Sequence, residues 1–149
     1  MRKINNPFVH LDGYNCFGCS PDNPFGLHMT FQEEEEEIIS IWDPKPYFQG
    51  YHKVLHGGIQ AALMDEIASW TVYAKVKTSG VTSKADIRYR KVVNIENGPL
   101  TIKARVIGIR RNLADISVKL FTKNEELSTE GVFTFFTFPG KKNYDIVSP

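Results

Sequence analysis

Only one stretch of this chain repeats with the period of a helix. From Gly58 to about Lys77, the residues Ile59, Ala62, Leu63, Ile67, Trp70, Tyr73 and Ala74 recur at three- and four-residue spacing on one face. Around it the pattern is that of strands. Leu27 to Phe31 alternates apolar and polar residues, and Ile38 to Trp42 follows as a return strand. After Ser79-Gly80, the segments Val81 to Val93, Leu100 to Ile109, Leu113 to Phe121 and Gly131 to Phe138 are rich in β-branched and aromatic residues. The breaks between them, Asn94 to Pro99, Arg110-Arg111-Asn112 and Lys123-Asn124-Glu125-Glu126, are short, and short connections join antiparallel neighbours. The expected architecture is α+β: two strands, one long helix and four strands, with the helix covering one face of the sheet. Val132, Phe133, Phe135, Phe136 and Phe138 place apolar groups on both faces of the last strand, which self-association would cover.

The 149 residues suit a single domain over 1–149, opening with a turn-rich segment to about residue 26. No apolar run approaches the roughly 20 residues of a membrane span. The start, Met1-Arg2-Lys3-Ile4-Asn5-Asn6-Pro7, has no apolar signal core, so a cytoplasmic protein without a membrane partner is expected. Charge is uneven: residues 1–75 carry 5 Lys/Arg against 10 Asp/Glu, and residues 76–149 carry 13 against 7. That basic excess could meet the phosphates of a small ligand. A nucleic-acid partner is not expected, because such binders show a higher pI and a continuous basic face.

Cys16 and Cys19 form one Cys-x-x-Cys with no second pair to complete a zinc site, and no recognised spacing joins them to His10, His28 or His52. Neither a metal nor any other cofactor is expected; the pair reads as part of a tight loop. The run Glu33 to Glu37 reads as a solvated hairpin tip, since consecutive strand residues point to opposite faces.

The chemistry concentrates at His56-Gly57-Gly58, followed by Asp65 and Glu66. Asp65 lies off the apolar stripe, on a flank with Gly58, Ala61, Ser69, Val72 and Val76, a small apolar surface that suits contact with another subunit. Burial there would raise its pKa and improve it as a base. Glu66 falls within the stripe. It is a second candidate carboxylate, or a group paired inside or at the rim of the sheet, where an isolated charge would be expensive.

Three segments together resemble the hot-dog-fold acyl-CoA thioesterases, in particular the group that includes the phenylacetate-pathway enzymes. They are Asn15-Cys16-Phe17-Gly18-Cys19-Ser20-Pro21-Asp22-Asn23-Pro24-Phe25-Gly26-Leu27, the stretch from Gln49-Gly50-Tyr51 through His56-Gly57-Gly58 to Asp65-Glu66, and Gly80-Val81-Thr82 through Ile87-Arg88-Tyr89. The resemblance implies an antiparallel sheet wrapped around the long helix and a homodimer with two interfacial active sites, commonly assembled further as a dimer of dimers. It implies hydrolysis of a small, aromatic or medium-chain acyl-CoA, with coenzyme A entering only as part of the substrate. Asp65 matches the catalytic carboxylate, Gly57 the glycine whose N–H polarises the thioester carbonyl, and His56 the histidine that supports the turn. Asp65 would act as general base toward water or as a nucleophile giving an anhydride.

Helix geometry bears on the dimer independently. Eight residues at about 1.5 Å rise separate Gly57 from Asp65 by about 12 Å along the axis, so one thioester cannot touch both within one chain. Two antiparallel copies could bring the first turn of one helix beside the middle of the other.

The chain departs from the family at several points. Where many relatives carry Asn shortly before the His-Gly-Gly, this sequence has Gln49, the candidate to orient water or the carbonyl. Ser83 stands near the place of a helping hydroxyl in some relatives, with Thr82 an equal candidate. For substrate binding the candidates are the Gly58 turn and the basic residues Lys84, Arg88, Arg90, Arg110 and Arg111, each of which can equally be a solvated surface group. Two other readings keep the same fold: a non-catalytic acyl-CoA-binding or sensing module, and a hydratase or dehydratase, which would need a His paired with a carboxylate. Thioesters of a carrier protein are a further substrate class.

Overall fold

The β-branched and aromatic segments form strands, but not every short break joins neighbours. The strand after the helix ends at Tyr89, short of Val93, and pairs with Leu127–Phe138, so the break at Asn94 to Pro99 leads to a strand elsewhere in the sheet, beside Glu37–Trp42. In the computed structural model, which describes residues 1–139, seven strands form one antiparallel sheet: β1 (Arg2–Ile4), β2 (Phe31–Glu34), β3 (Glu37–Trp42), β4 (Ser79–Tyr89), β5 (Leu100–Arg110), β6 (Leu113–Phe121) and β7 (Leu127–Phe138). Their order is β1-β2-β3-β5-β6-β7-β4, so β4 closes one edge and the three-residue β1 the other. β1 falls in a segment that reads as turns alone. Three residues hold too little pattern to register, and the strand exists because Arg2, Lys3 and Ile4 pair with Glu33, Gln32 and Phe31.

Leu27 to Phe31 is not the strand its alternation predicts. Leu27, Met29 and Phe31 are buried between exposed His28 and Thr30, but the N–H groups of Leu27 and Met29 bond to the carbonyls of Phe17 and Gly18. This stretch pairs with the cysteine-containing loop, and the sheet strand begins at Phe31. The glutamate run is exposed at Glu34 and at the turn, Glu35-Glu36, while Glu33 and Glu37 are half-buried. Glu33 sits in β2, paired with Lys75 at 2.6 Å and with Arg2.

The helix α1 spans Gly57–Thr71 and continues as a π-helical turn over Val72–Val76, ended by Lys77 in the left-handed region. A one-sided stripe underestimates its burial. Gln60, Leu63, Met64, Ile67, Ala68, Trp70 and Thr71 are buried, Ile59 and Ala62 are half-buried, and within α1 Gly58 alone is exposed. The sheet bends round the helix, with β3, β4, β5, β6 and β7 all in contact with it, so the helix is lined by apolar groups on nearly every side. Leu63 and Ile67 meet Ile38, Ile102, Ile116, Phe133 and Phe135 in the fully buried core. Over the far half of the helix lies the N-terminal segment, where Phe8 packs against Tyr14, Trp70 and Tyr73 at 5.6–6.0 Å between ring centres.

Candidate active site

His56 is the N-cap of α1, and its Nδ1 accepts the Gly58 N–H at 2.8 Å. A Cβ on Gly58 would fall 2.9 Å from the imidazole Cε1, so glycine there is what lets the ring fold back onto the turn. First-turn N–H groups have no acceptor inside their own helix. That of Gly58 is taken by His56, and among the described residues none accepts from that of Gly57. The turn is clamped on both sides. His56 N–H bonds to the Phe48 carbonyl at 3.0 Å, and the Tyr89 hydroxyl donates to the Gly57 carbonyl at 2.8 Å. Beneath it, buried Gln60 donates to the Leu55 carbonyl at 3.2 Å and accepts from Thr129 at 2.5 Å.

Two turns further along, Asp65 is half-buried and faces β4, where the Thr82 hydroxyl donates to its Oδ1 at 2.6 Å. Burial pushes the Asp65 carboxyl above its ordinary value, and the Thr82 bond, which favours the ionised form, offsets part of that rise. The β4–β7 register shifts between Thr82 and Lys84, leaving Ser83 as the extra residue of a bulge. Of the two candidate hydroxyls, Thr82 is therefore the one that meets Asp65 within the chain, and Ser83 stays exposed at the bulge.

Glu66 points elsewhere. Its Oε2 accepts from Trp70 Nε1 at 3.1 Å and from Cys16 Sγ at 3.4 Å, so its partners are neutral donors from the helix and the N-terminal loop and not a cation at the sheet rim. Gln49 is exposed, and its Oε1 accepts the Lys53 N–H at 3.0 Å.

The basic candidates do not form one cluster. Arg88 and Arg90 lie at the Gly57 end of β4, bonded to Asp86 at 2.7 Å and to Glu130 at 2.5 Å. Arg110 and Arg111 lie at the β5–β6 turn, where Arg110 pairs with Asp115 at 3.1 Å. Lys84 stands between the two groups, opposite Thr134. Trp70 is core, stacked on Phe31 at 5.1 Å between ring centres. Tyr73 lines a hollow of about 770 Å³ between the N-terminal segment and the far end of the helix, with Ile4, Phe8 and Leu11. That hollow reaches neither Asp65 nor Gly57.

Tyr89 and Thr82 are the two residues that the sequence leaves without a firm role. Both sit in a strand as ordinary β-formers, and only the packing of β4 on the helix brings one to the Gly57 turn and the other to Asp65.

The family described as "Thioesterase superfamily" matches residues 52–129, which include the His-Gly-Gly turn, the helix and β4 to β6. No curated protein matches the chain. Among solved structures, one described as a thioesterase superfamily protein superposes with a TM-score of 0.75 at 16% identity, over 82% of this chain and 60% of that one. A hypothetical thioesterase from Streptococcus pneumoniae, solved with coenzyme A, gives 0.67 at 21% identity over 74% of this chain and 85% of that one. A Streptococcus mutans protein bound to acetyl-CoA gives 0.71 at 21% identity, over 89% of this chain and 99% of that one. The shared architecture is the hot-dog fold: an antiparallel sheet wrapped around one long helix.

Proposed function

This chain belongs to the thioesterase superfamily, and from that premise we propose that it hydrolyses the acyl-CoA of a small, aromatic or medium-chain acid, using Asp65 and the Gly57 N–H across a dimer interface. The observation that carries the reading is the Asp65 carboxyl, half-buried against β4, raised in pKa and oriented by Thr82. A carboxylate so placed is a better base than one in water.

The proposed steps follow the movement of charge. Asp65 takes a proton from water as the oxygen adds to the thioester carbon, and the carbonyl oxygen becomes anionic. The Gly57 N–H, at the positive end of the helix dipole, donates to that oxygen. As the tetrahedral species collapses the C–S bond breaks, and the leaving thiolate takes up the proton held by Asp65, giving free acid and CoA. In the alternative route Asp65 itself displaces the thiolate, forming a mixed anhydride that water then hydrolyses. His56 acts on the turn and not on the proton, because its Nδ1 is committed to Gly58.

β4 supports the dimer by a second ruler. It is an eleven-residue edge strand, exposed along most of its length, with Tyr89 holding the Gly57 turn and Thr82 holding Asp65. These anchors are seven positions apart, roughly 20 Å along an extended strand. A two-fold axis through β4 near Ala85 and Asp86 pairs this strand with its copy and places each Tyr89 opposite the partner's Thr82. The Gly57 of one chain then faces the Asp65 of the other. The same pairing brings the separated basic groups of the two chains closer together, where CoA phosphates would meet them. Ile107, Ile109, Val132 and Phe136 remain exposed on the sheet and suit a dimer of dimers.

Thiol release from a panel of acyl-CoAs, measured for wild type and Asp65→Asn alongside solution mass, tests the proposal. Turnover by the wild-type dimer and a loss of 10²-fold or more in Asp65→Asn are expected. Tight acyl-CoA binding with no turnover on any thioester would favour a binding module instead. Equal turnover by both proteins would remove Asp65 from the mechanism.

A further inference from the structure

The Cys-x-x-Cys pair has no second pair in the sequence, but the fold supplies a third donor fifty residues away. Residues 16–20 close a single turn, with the Ser20 N–H bonded to the Cys16 carbonyl at 3.0 Å, and this turn sits on α1. The Sγ atoms of Cys16 and Cys19 and a carboxylate oxygen of Glu66 all lie within 4.8 Å of one another, and Cys16 Sγ is 3.4 Å from Glu66 Oε2. Zn–S bonds of about 2.3 Å and Zn–O bonds of about 2.0–2.2 Å in a tetrahedral site put the donor atoms roughly 3.5–3.8 Å apart. A closure of about 1 Å at most therefore brings the three donors onto one ion.

The surroundings are shaped to this cluster. A Cβ on Gly18 would fall 2.4 Å from Glu66 Cδ, so the glycine lets the loop press onto the carboxylate. Trp70 Nε1 orients Glu66, and the Tyr14 hydroxyl lies 2.8 Å from Cys19 Sγ, the kind of outer hydrogen bonding that fixes metal ligands. A hollow of about 190 Å³ lined by the same donors has room for a water as fourth ligand. Among the described residues no cation pairs with Glu66, so a bound ion would supply the positive charge that this half-buried carboxylate lacks.

We propose that Cys16, Cys19 and Glu66 bind a thiophilic divalent cation, Zn²⁺ being the ion that two thiolates and a carboxylate suit, and that this ion clips the N-terminal loop to the helix. Binding releases one proton from each thiol. Glu66 is turned about 100° round the helix from Asp65 and shares no hydrogen-bond partner with it, so the site stands independently of the thioesterase reading.

The test uses the whole reduced protein, stripped with a chelator and titrated with Co²⁺ and Zn²⁺, with Cys16→Ser, Cys19→Ser and Glu66→Gln alongside. One equivalent of Zn²⁺ per chain and a thiolate-to-cobalt charge-transfer band are expected in the wild type. Either serine substitution should abolish the band, and Glu66→Gln should weaken binding at least 10-fold. Absence of the band in the wild type overturns the proposal whatever the variants do, so a variant that fails to fold cannot rescue it. Binding unchanged in the serine variants places the ion elsewhere, and unchanged affinity in Glu66→Gln removes the third ligand; either result also overturns it.

Discussion

The proposed mechanism puts two opposed demands on Asp65, to be a base and to lie out of water, and the Thr82 hydroxyl balances them. By donating to Oδ1 at 2.6 Å it favours the ionised carboxylate against the burial that disfavours it. Thr82→Val should therefore raise the Asp65 pKa further. The acid limb of the kcat/KM profile is expected to move to higher pH, with about a 10-fold loss of turnover near neutrality; an unmoved limb would show that the hydroxyl does not act on the carboxylate. The same balance appears in stability. The folded Asp65 carboxyl holds its proton to higher pH than the unfolded one, so the folded state loses stability as pH rises from about 3.9 through the raised folded value. Asp65→Asn removes that loss. Its Tm should exceed that of wild type at pH 7, and the gap should close toward about pH 3, where both carboxyls are protonated. Thermal scans at one protein concentration measure this directly, and a Tm at or below wild type at neutral pH would contradict it.

At the scale of elements, β4 matters most, because it touches both ends of the site and is open along its outer edge. A long exposed edge strand presents a row of backbone groups to be paired. Ala85→Glu puts a new carboxylate near the proposed two-fold axis, where the symmetry brings it close to the partner strand's acidic groups at the centre of the seam. Light scattering should show half the wild-type mass, with a loss of about 10²-fold in kcat/KM, the typical cost of one oxyanion donor. Full activity in a monomer would end the shared-site mechanism. The strands and helix are legible in the sequence because periodicity is local, whereas the end of β4 at Tyr89 and its pairing with β7 in place of β5 are set by the fold of the whole sheet. The bulge at Ser83 is not legible either, since it is defined by the register of β4 against β7, and no residue in Thr82-Ser83-Lys84 announces it. The alternation at Leu27 to Phe31 correctly gave burial and wrongly gave sheet pairing, because the same pattern serves wherever an extended chain lies on a core.

For the molecule as a whole, the N-terminal segment is part of the wrap around the helix and not a tail before the fold. Its place could not be read from the sequence. Phe8, Cys16 and Glu66 belong to distant stretches, and only the curved sheet, which leaves the far half of the helix to be covered by something else, brings them together. Phe8 supplies much of that cover, with aromatic contacts to Tyr14, Trp70 and Tyr73 in a region that β1 alone is too short to close. Aromatic pairs of this geometry add about 0.5–1.5 kcal/mol beyond burial, and removing a buried ring costs about 3–5 kcal/mol. Phe8 is half-buried, which sets Phe8→Ala below that range, at about 2–3 kcal/mol. For a domain of this size that corresponds to a fall in Tm of roughly 5–10 °C. A scan showing less than about 2 °C would mean that the segment rests on the helix without stabilising it, whereas the larger fall would make residues before β2 part of the cooperative core.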